Sequence, residues 1–384
     1  MDADIRQSLL AWCAREQGWL IETIETLVRL ESPSTDKAAV DRCGAELRRR
    51  LADVGATVTT IDGGARGDHT RADFGTSGRR VLVLGHVDTV WPVGQLSRMP
   101  FQLVEGRLHG PGVFDMKAGI AVSLLAMRAI HTVLRDASPR ITMLWTTDEE
   151  IGSGSSRGVL EATARECDAV LVLEPSLPGG AVKTSRKGVG EFELVVHGVS
   201  AHAGLDPDKG ASAIHELARQ IVALEAMQDR EQGITLNVGT IDGGSRTNVV
   251  AERASGTIDV RVPTEAAAAS IAARIMALRA GSPRTSLEIT GGISRPPLER
   301  TAAVAELYAT ARTVAGELEM DLGEGAAGGG SDGNFTAAAG VPTLDGLGPR
   351  GDGAHAHHEH VIVADLTWRA AFVAALLWRV TGHR

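Results

Sequence analysis

Cysteine is scarce in this chain. Cys13, Cys43 and Cys167 are the only three, an odd number, widely spaced and without a Cys-x-x-Cys pair. That excludes a disulfide framework and a thiolate metal site, points to a reducing compartment, and leaves all three as buried structural thiols. Also missing is any lysine- or arginine-rich block. With 39 basic against 48 acidic side chains and a net charge of -9, neither nucleic acid nor an anionic membrane surface is an expected partner. No apolar run approaches the roughly 20 residues of a membrane-crossing helix. The first residues, Met1 to Trp19, carry acids among their apolar positions and lack a basic start, a long apolar core and a small-residue cleavage site. They predict an ordinary amphipathic helix, and the expected location is cytoplasmic. Internal repeats and long low-complexity linkers are absent too. What remains is a globular chain of 384 residues, long enough for two domains.

What is present is a series of short apolar runs, each ending in a chemically active side chain. Val81 to Leu84 reads as a buried central strand and leads into His86-Val87-Asp88. Ile141 to Thr147 is a second such strand and ends at Asp148-Glu149-Glu150, where crowded carboxylates call for a cation among them. Ala169 to Leu173 is a third and ends at Glu174-Pro175. Around them the periodicity predicts helices over 9–30, 36–51, 117–134 and 156–166, with short strands over 57–61 and 71–74. From about 187 to 295 the pattern changes to strand, helix, strand, strand, helix, strand (190–197, 209–227, 234–241, 254–262, 264–279, 286–290). This βαββαβ order matches a ferredoxin-like unit, expected as a domain inserted into the first. The catalytic domain is then discontinuous, 1–186 and 296–384, and the inserted domain is 187–295. After 296 come a helix over 302–317, the loop Gly328-Gly329-Gly330-Ser331-Asp332-Gly333, a strand over 341–344, a histidine-rich loop and a closing helix over 364–379.

The strand ends together supply His86, Glu149, Glu150 and Glu174, the loop before the helix at 117 supplies Asp115, and a histidine near 355 completes the set. Imidazole and carboxylate donors without thiolates suit Zn²⁺, with Co²⁺ or Mn²⁺ as alternatives. Five ligands and one leftover acid are too many for one tetrahedral zinc, but fit two metals sharing a carboxylate, with a glutamate free as general base.

Six motifs in order give the chain a resemblance to the M20 metallopeptidases, and within them to the glutamate carboxypeptidase branch. They are Gly85-His86-Val87-Asp88-Thr89-Val90, the run from Gly110 through Asp115-Met116-Lys117 to Gly119, Thr147-Asp148-Glu149-Glu150-Ile151-Gly152-Ser153, Glu174-Pro175-Ser176, Ser200-Ala201-His202-Ala203-Gly204, and Gly353-Ala354-His355 followed by Glu359. The resemblance implies an α/β zinc-exopeptidase-like catalytic domain, with helices flanking a mixed sheet, plus an inserted ferredoxin-like lid and dimerisation domain. It implies that Asp115 bridges two metals, His86 and Glu174 completing one site and Glu150 and His355 the other, with Glu149 as the base. Asp88 would accept the other N–H of the His86 imidazole, and the Asp115–Met116 peptide would be cis. Met116 departs from other branches, which carry a second Asp there. His202 would be the lid histidine that stabilises the oxyanion, reaching it from the partner subunit of a homodimer built on the inserted domain. Asn248 and Arg295 would contact the substrate carboxylate, with the Gly329 and Gly330 backbone approaching the same group.

Alternatives stay open at several of these positions. His357, His358 or His360 could replace His355 if the register shifts, and Arg186 and Lys187 read as hinge or surface residues. The expected function is hydrolysis of an amide beside a free carboxylate, as a carboxypeptidase releasing C-terminal glutamate or a similar residue from a small peptide. The rival enzyme is an N-acyl-amino-acid deacylase of the acetylornithine deacetylase kind. A third reading, a dimeric metal-binding module without catalysis, predicts loss of the base or a ligand, and none is lost.

Overall fold

The computed structural model describes residues 2–134 and 138–383 and divides into two compact units. One comprises Met1–Ser185, Glu299–Ala327 and Ser331–Arg384, the other Arg186–Leu298 and Gly328–Gly330.

The first unit is an α/β structure on a six-stranded mixed sheet, in the spatial order Thr57–Ile61, His69–Phe74, Pro139–Thr146, Ser77–His86, Ala169–Val172, Thr343–Leu344. The last four strands are parallel, and His69–Phe74 runs antiparallel to both its neighbours. A parallel strand covered on both faces needs side chains that are apolar on both, and these strands supply them. Val81 and Val83, with Ile141, Met143 and Trp145, face the core shared with the helices Ala118–Val133 and Val363–Val380. Leu82 and Leu84, with Leu144, Val170 and Val172, face a second core containing Leu160, Ala164 and Phe335 from the opposite side. Alternation along each strand thus feeds two separate layers.

The stretch 9–30, expected to be one helix, is two: Ala3–Arg15 and Gln17–Arg29. The chain turns at Glu16, whose carboxylate accepts from Arg128 Nη1 at 2.6 Å while the Arg128 guanidinium lies over the rings of Trp12 and Trp19. One cation therefore clamps both helices at the break. Four short strands, Gln102–Val104, Arg107–His109, Gly351–Asp352 and His360–Ile362, form a small sheet that the periodicity did not predict, being too short to show a period. Gly351–Asp352 and His360–Ile362 pair antiparallel, which makes the intervening histidine-rich segment a hairpin loop. The helix Gly333–Ala338, which continues directly from the glycine-rich loop, was also unpredicted.

The second unit holds a four-stranded antiparallel sheet in the order Thr235–Gly243, Arg253–Val262, Gly188–His197, Ser286–Arg295. The helices Ala213–Glu225 and Glu265–Met276 pack on it through Leu217, Leu224, Ile271 and Ile275, against Phe192, Leu194, Ile258 and Val260. Its chain order is βαββαβ. Among the described residues no helix is long and apolar enough to cross a membrane.

Candidate metal centre

Parallel register sets the site. His86, the last residue of its strand, lies opposite Thr146, so the turn carrying Glu149 and Glu150 begins beside it. Leu84 lies opposite Val172, so Glu174, two residues further on, reaches the same level. The strand can approach its neighbours this closely because Gly85 has no side chain: a Cβ there would stand 2.3 Å from Met116 Cε and 2.7 Å from Trp145 Cζ3.

His86 is 1 % exposed. Its Nδ1 donates to the Asp88 carbonyl at 2.9 Å, which leaves Nε2 facing Asp115 Oδ1 at 3.3 Å and Glu174 Oε1 at 3.4 Å. On the far side of the same aspartate, His355 Nε2 lies 3.3 Å from Asp115 Oδ2 and 3.0 Å from Glu150 Oε2. The two oxygens of Asp115 therefore face two different imidazoles, each flanked by one further carboxylate. The Asp115–Met116 peptide is cis, as the resemblance implied.

The electrostatics of this arrangement call for cations. Burial alone would lower the His86 pKa, yet the carboxylates of Asp115, Asp88 and Glu174 raise it well above its ordinary value. His355 is pushed up to about 10 by Asp115 and Glu150. Glu150 is raised by burial, to which the nearby Asp115 charge adds. Its Oε1 has no hydrogen-bond partner among the described residues, an orphaned buried acceptor of the kind a ligand ordinarily satisfies. His86, Asp115 and Glu150 each offer a ligand atom within 4.8 Å of the others. Two imidazoles and three carboxylates, converging among the described residues, form a donor set that fits a pair of borderline-to-hard dications.

Asp88 lies beside the His86 imidazole, as the resemblance implied, with its carboxylate 3.5 Å from Nδ1, but the imidazole N–H bonds to its backbone carbonyl. The carboxylate is turned toward the acidic turn, accepting the backbone N–H groups of Glu149 at 3.4 Å and Glu150 at 3.3 Å and the Ser34 hydroxyl at 2.7 Å. Backbone and side chain of one residue thus orient His86 and the Glu149–Glu150 turn together, which spacing alone could not reveal.

Of the histidines at 355, 357, 358 and 360, only His355 has a contact with these carboxylates among the described residues. His357 lies against the Trp91 ring and near Gln95, and His360 donates to the His358 carbonyl and lies against the His109 ring. His355 adopts a left-handed backbone conformation, φ +61°, two residues after Gly353. A residue whose role went unassigned in the sequence is Glu359. Its buried carboxylate accepts from the backbone N–H groups of Gly112, Phe114 and Asp115 and from Trp91 Nε1; its position four residues beyond His355 was the available signal.

The remaining predicted residues lie in the second unit. His202 is exposed, and its Nδ1 accepts N–H bonds from Gly204 and Leu205, both at 3.1 Å. Its loop pairs with the one carrying Asn248: Ala203 N–H donates to the Asn248 carbonyl at 2.9 Å, and Val250 N–H to that of Ala201 at 2.9 Å. Arg295 is buried, and Gly330 packs so tightly on it that a Cβ at 330 would come within 2.6 Å of Arg295 Cδ. Arg186, expected at a hinge or on the surface, is buried and donates to the carbonyls of Gly329 and Gly330. Cys13 and Cys43 are buried and Cys167 is partly so; all three are free thiols.

Comparison with known proteins identifies the family. The family model described as peptidase family M20/M25/M40 matches residues 82–379. Carboxypeptidase G2 from Pseudomonas sp. (strain RS-16) is 28 % identical over 372 residues, covering 94 % of this chain and 89 % of its own. A succinyl-diaminopimelate desuccinylase from Gluconacetobacter diazotrophicus is 30 % identical over 360 residues, covering 88 % and 91 %. In fold, the chain superposes on the crystal structure of the aminopeptidase PepT from Bacillus cereus with a TM-score of 0.78 at 22 % identity, covering 95 % of this chain and 98 % of that one. It also superposes on the YXEP protein of Bacillus subtilis, described as a dinuclear metal-binding peptidase of the M20 family, with a TM-score of 0.74 at 17 % identity, covering 97 % and 100 %. The chain belongs to peptidase family M20/M25/M40 and is a metallopeptidase-type hydrolase of that family.

Proposed function

We propose that this protein hydrolyses the amide bond joining an acyl or peptidyl group to an amino acid with a free carboxylate, C-terminal glutamate being the preferred leaving residue. The observation that carries the reading is Asp115, whose two carboxylate oxygens face His86 and His355 from opposite sides. His86, Asp115 and Glu174 would hold one ion and Asp115, Glu150 and His355 the other, with zinc the expected metal and cobalt or manganese the alternatives. When bound, such ions polarise an amide carbonyl and bring the pKa of water toward neutrality.

The rest of the mechanism belongs to the chain. Glu149, held on its turn by the Asp88 carboxylate, takes a proton from the attacking water and passes it to the departing amine nitrogen. His202 receives two backbone N–H bonds on Nδ1, so its own proton sits on Nε2. That tautomer makes it a donor to the carbonyl oxygen as it becomes anionic. Asn248 and Arg295, with the Gly329 and Gly330 backbone, take the substrate carboxylate, for which a guanidinium offers two parallel donors. His202 acts from the partner subunit of a homodimer, and the enzyme works in the cytoplasm.

The 30 % identical desuccinylase favours a second reading, deacylation of an N-acyl amino acid by the same residues. Turnover of N-acyl-glutamates, C-terminal glutamyl dipeptides, N-succinyl amino acids and acetylornithine, each with Zn²⁺, Co²⁺ or Mn²⁺, separates the two. Preference for the glutamyl amides supports the first and preference for the succinyl or acetyl substrates the second. Absence of turnover on all of them with two metal equivalents bound would refute both.

A further inference from the structure

Asp115 stands in a turn that begins at Gly112, φ +69°, and turns the backbone N–H groups of Gly112, Phe114 and Asp115 to one side. Into that concavity projects a single carboxylate. Glu359 Oε1 accepts from Phe114 N at 2.9 Å and Asp115 N at 3.1 Å; Oε2 accepts from Gly112 N at 2.9 Å and Trp91 Nε1 at 2.8 Å. Glu359 is fully buried. It closes the hairpin loop that begins with Gly353 and carries His355, so one side chain ties together the two segments that bear Asp115 and His355.

We propose that Glu359 is a positioning residue of the metal centre, fixing the Asp115 turn and the His355 loop in the relative geometry that lets both ions bind; this rests on the reading of Asp115 as the shared ligand. Both oxygens of Glu359 are occupied by N–H donors, two each. A carboxylate can serve all four, whereas a glutamine of the same shape must turn its NH₂ toward two of them, replacing two attractions by two donor-donor conflicts. The requirement is therefore for the charge distribution at 359 and not merely for its volume, and Glu359→Gln tests it with little change in packing. Residues that orient ligands in this way ordinarily contribute 10–100-fold to metal affinity.

The experiment is a Zn²⁺ competition titration and a Co²⁺ absorption spectrum on the full chain, stripped of metal, as wild type, Glu359→Gln and Asp115→Asn, with circular dichroism as the check on folding. Glu359→Gln is expected to weaken at least one of the two equivalents by about 10–100-fold and to shift the Co²⁺ bands, a change of coordination that a loss of stability alone would not produce. Wild-type affinity and an unchanged Co²⁺ spectrum in Glu359→Gln, with Asp115→Asn impaired, would overturn the role of Glu359. Two equivalents bound normally by Asp115→Asn would instead overturn the shared-ligand reading beneath it. Should Glu359→Gln not fold, Trp91→Phe, which removes one of the four donors, decides: several-fold weaker metal binding supports the proposal and wild-type binding refutes it.

Discussion

Replacing Gly85 with alanine tests how tightly the centre depends on the packing beneath it. The added Cβ would lie 2.3 Å from Met116 Cε, 2.8 Å from Met116 Sδ and 2.7 Å from Trp145 Cζ3, where carbon atoms normally rest at about 3.5–4.0 Å. Roughly 1 Å of movement is needed on two sides. Trp145 is fully buried in the main core and has nowhere to go. Met116 is flexible, but it too is fully buried, and the His86 N–H points at its sulfur from 3.3 Å. Overpacking of this kind costs about 1–3 kcal/mol, and here the displaced atoms belong to the neighbours of His86 and Asp115, two of the proposed ligands. Gly85→Ala should therefore lower the thermal unfolding temperature of the metal-free protein and also weaken metal binding. Gly158, in the helix Arg157–Arg165, is the matched comparison: nothing lies within 4 Å of a Cβ there. Gly158→Ala should be neutral or stabilising by up to about 1 kcal/mol. If Gly85→Ala unfolded at the wild-type temperature with unchanged metal affinity, the packing account would be wrong.

Glu149→Gln should keep two metal equivalents while losing about 10²–10⁴-fold in kcat; near-wild-type turnover would remove Glu149 from the role of base. Mixing Glu149→Gln with His202→Ala subunits should restore part of the activity if His202 acts in trans, and no recovery in mixed dimers would refute that. Removing metal with a chelator should abolish turnover and lower the unfolding temperature, because Asp115, Glu150 and Glu174 are then left with the His86 and His355 imidazoles, in place of the ions, to offset their charge; an equally stable metal-free protein would contradict the electrostatic argument. His69 supplies a pH test. Burial depresses its pKa below the ordinary 6.5, so it stays neutral in the fold while the unfolded chain takes up a proton. Its contribution to stability is complete above about 6.5 and is lost as pH falls through the depressed folded value. Comparing wild type with His69→Gln between pH 7 and 5 should isolate that slope, and parallel profiles would exclude it.

Much of this site could be read in the sequence because its elements carry strong local signals. An unbroken apolar run such as Val81 to Leu84 identifies a doubly covered strand, and the residue that ends it is where a parallel sheet presents its chemistry. His86, Glu150 and Glu174 were found in that way. Asp115 and His355 lie on loops, where loop geometry leaves no period to read: residue chemistry marked Asp115 and a histidine near 355 as donors, and the bridging role and the choice of His355 came from motif resemblance. What escaped was the support behind them. That the Asp88 carbonyl, and not its carboxylate, takes the His86 N–H depends on backbone direction at a strand end. That Glu359 reaches across to the Asp115 turn depends on contacts spanning more than 240 residues of chain. The break at Glu16 was invisible because the apolar spacing continues through it, and the clamp that fixes it, Arg128, is supplied by a distant helix.

The central claim is that Asp115 joins two metal ions. Anomalous diffraction from crystals of the zinc-loaded protein tests it directly. Two peaks are expected on either side of the Asp115 carboxylate, one about 2.0–2.1 Å from His86 Nε2 and the other at that distance from His355 Nε2. A single peak, or two peaks that do not share Asp115, would contradict it.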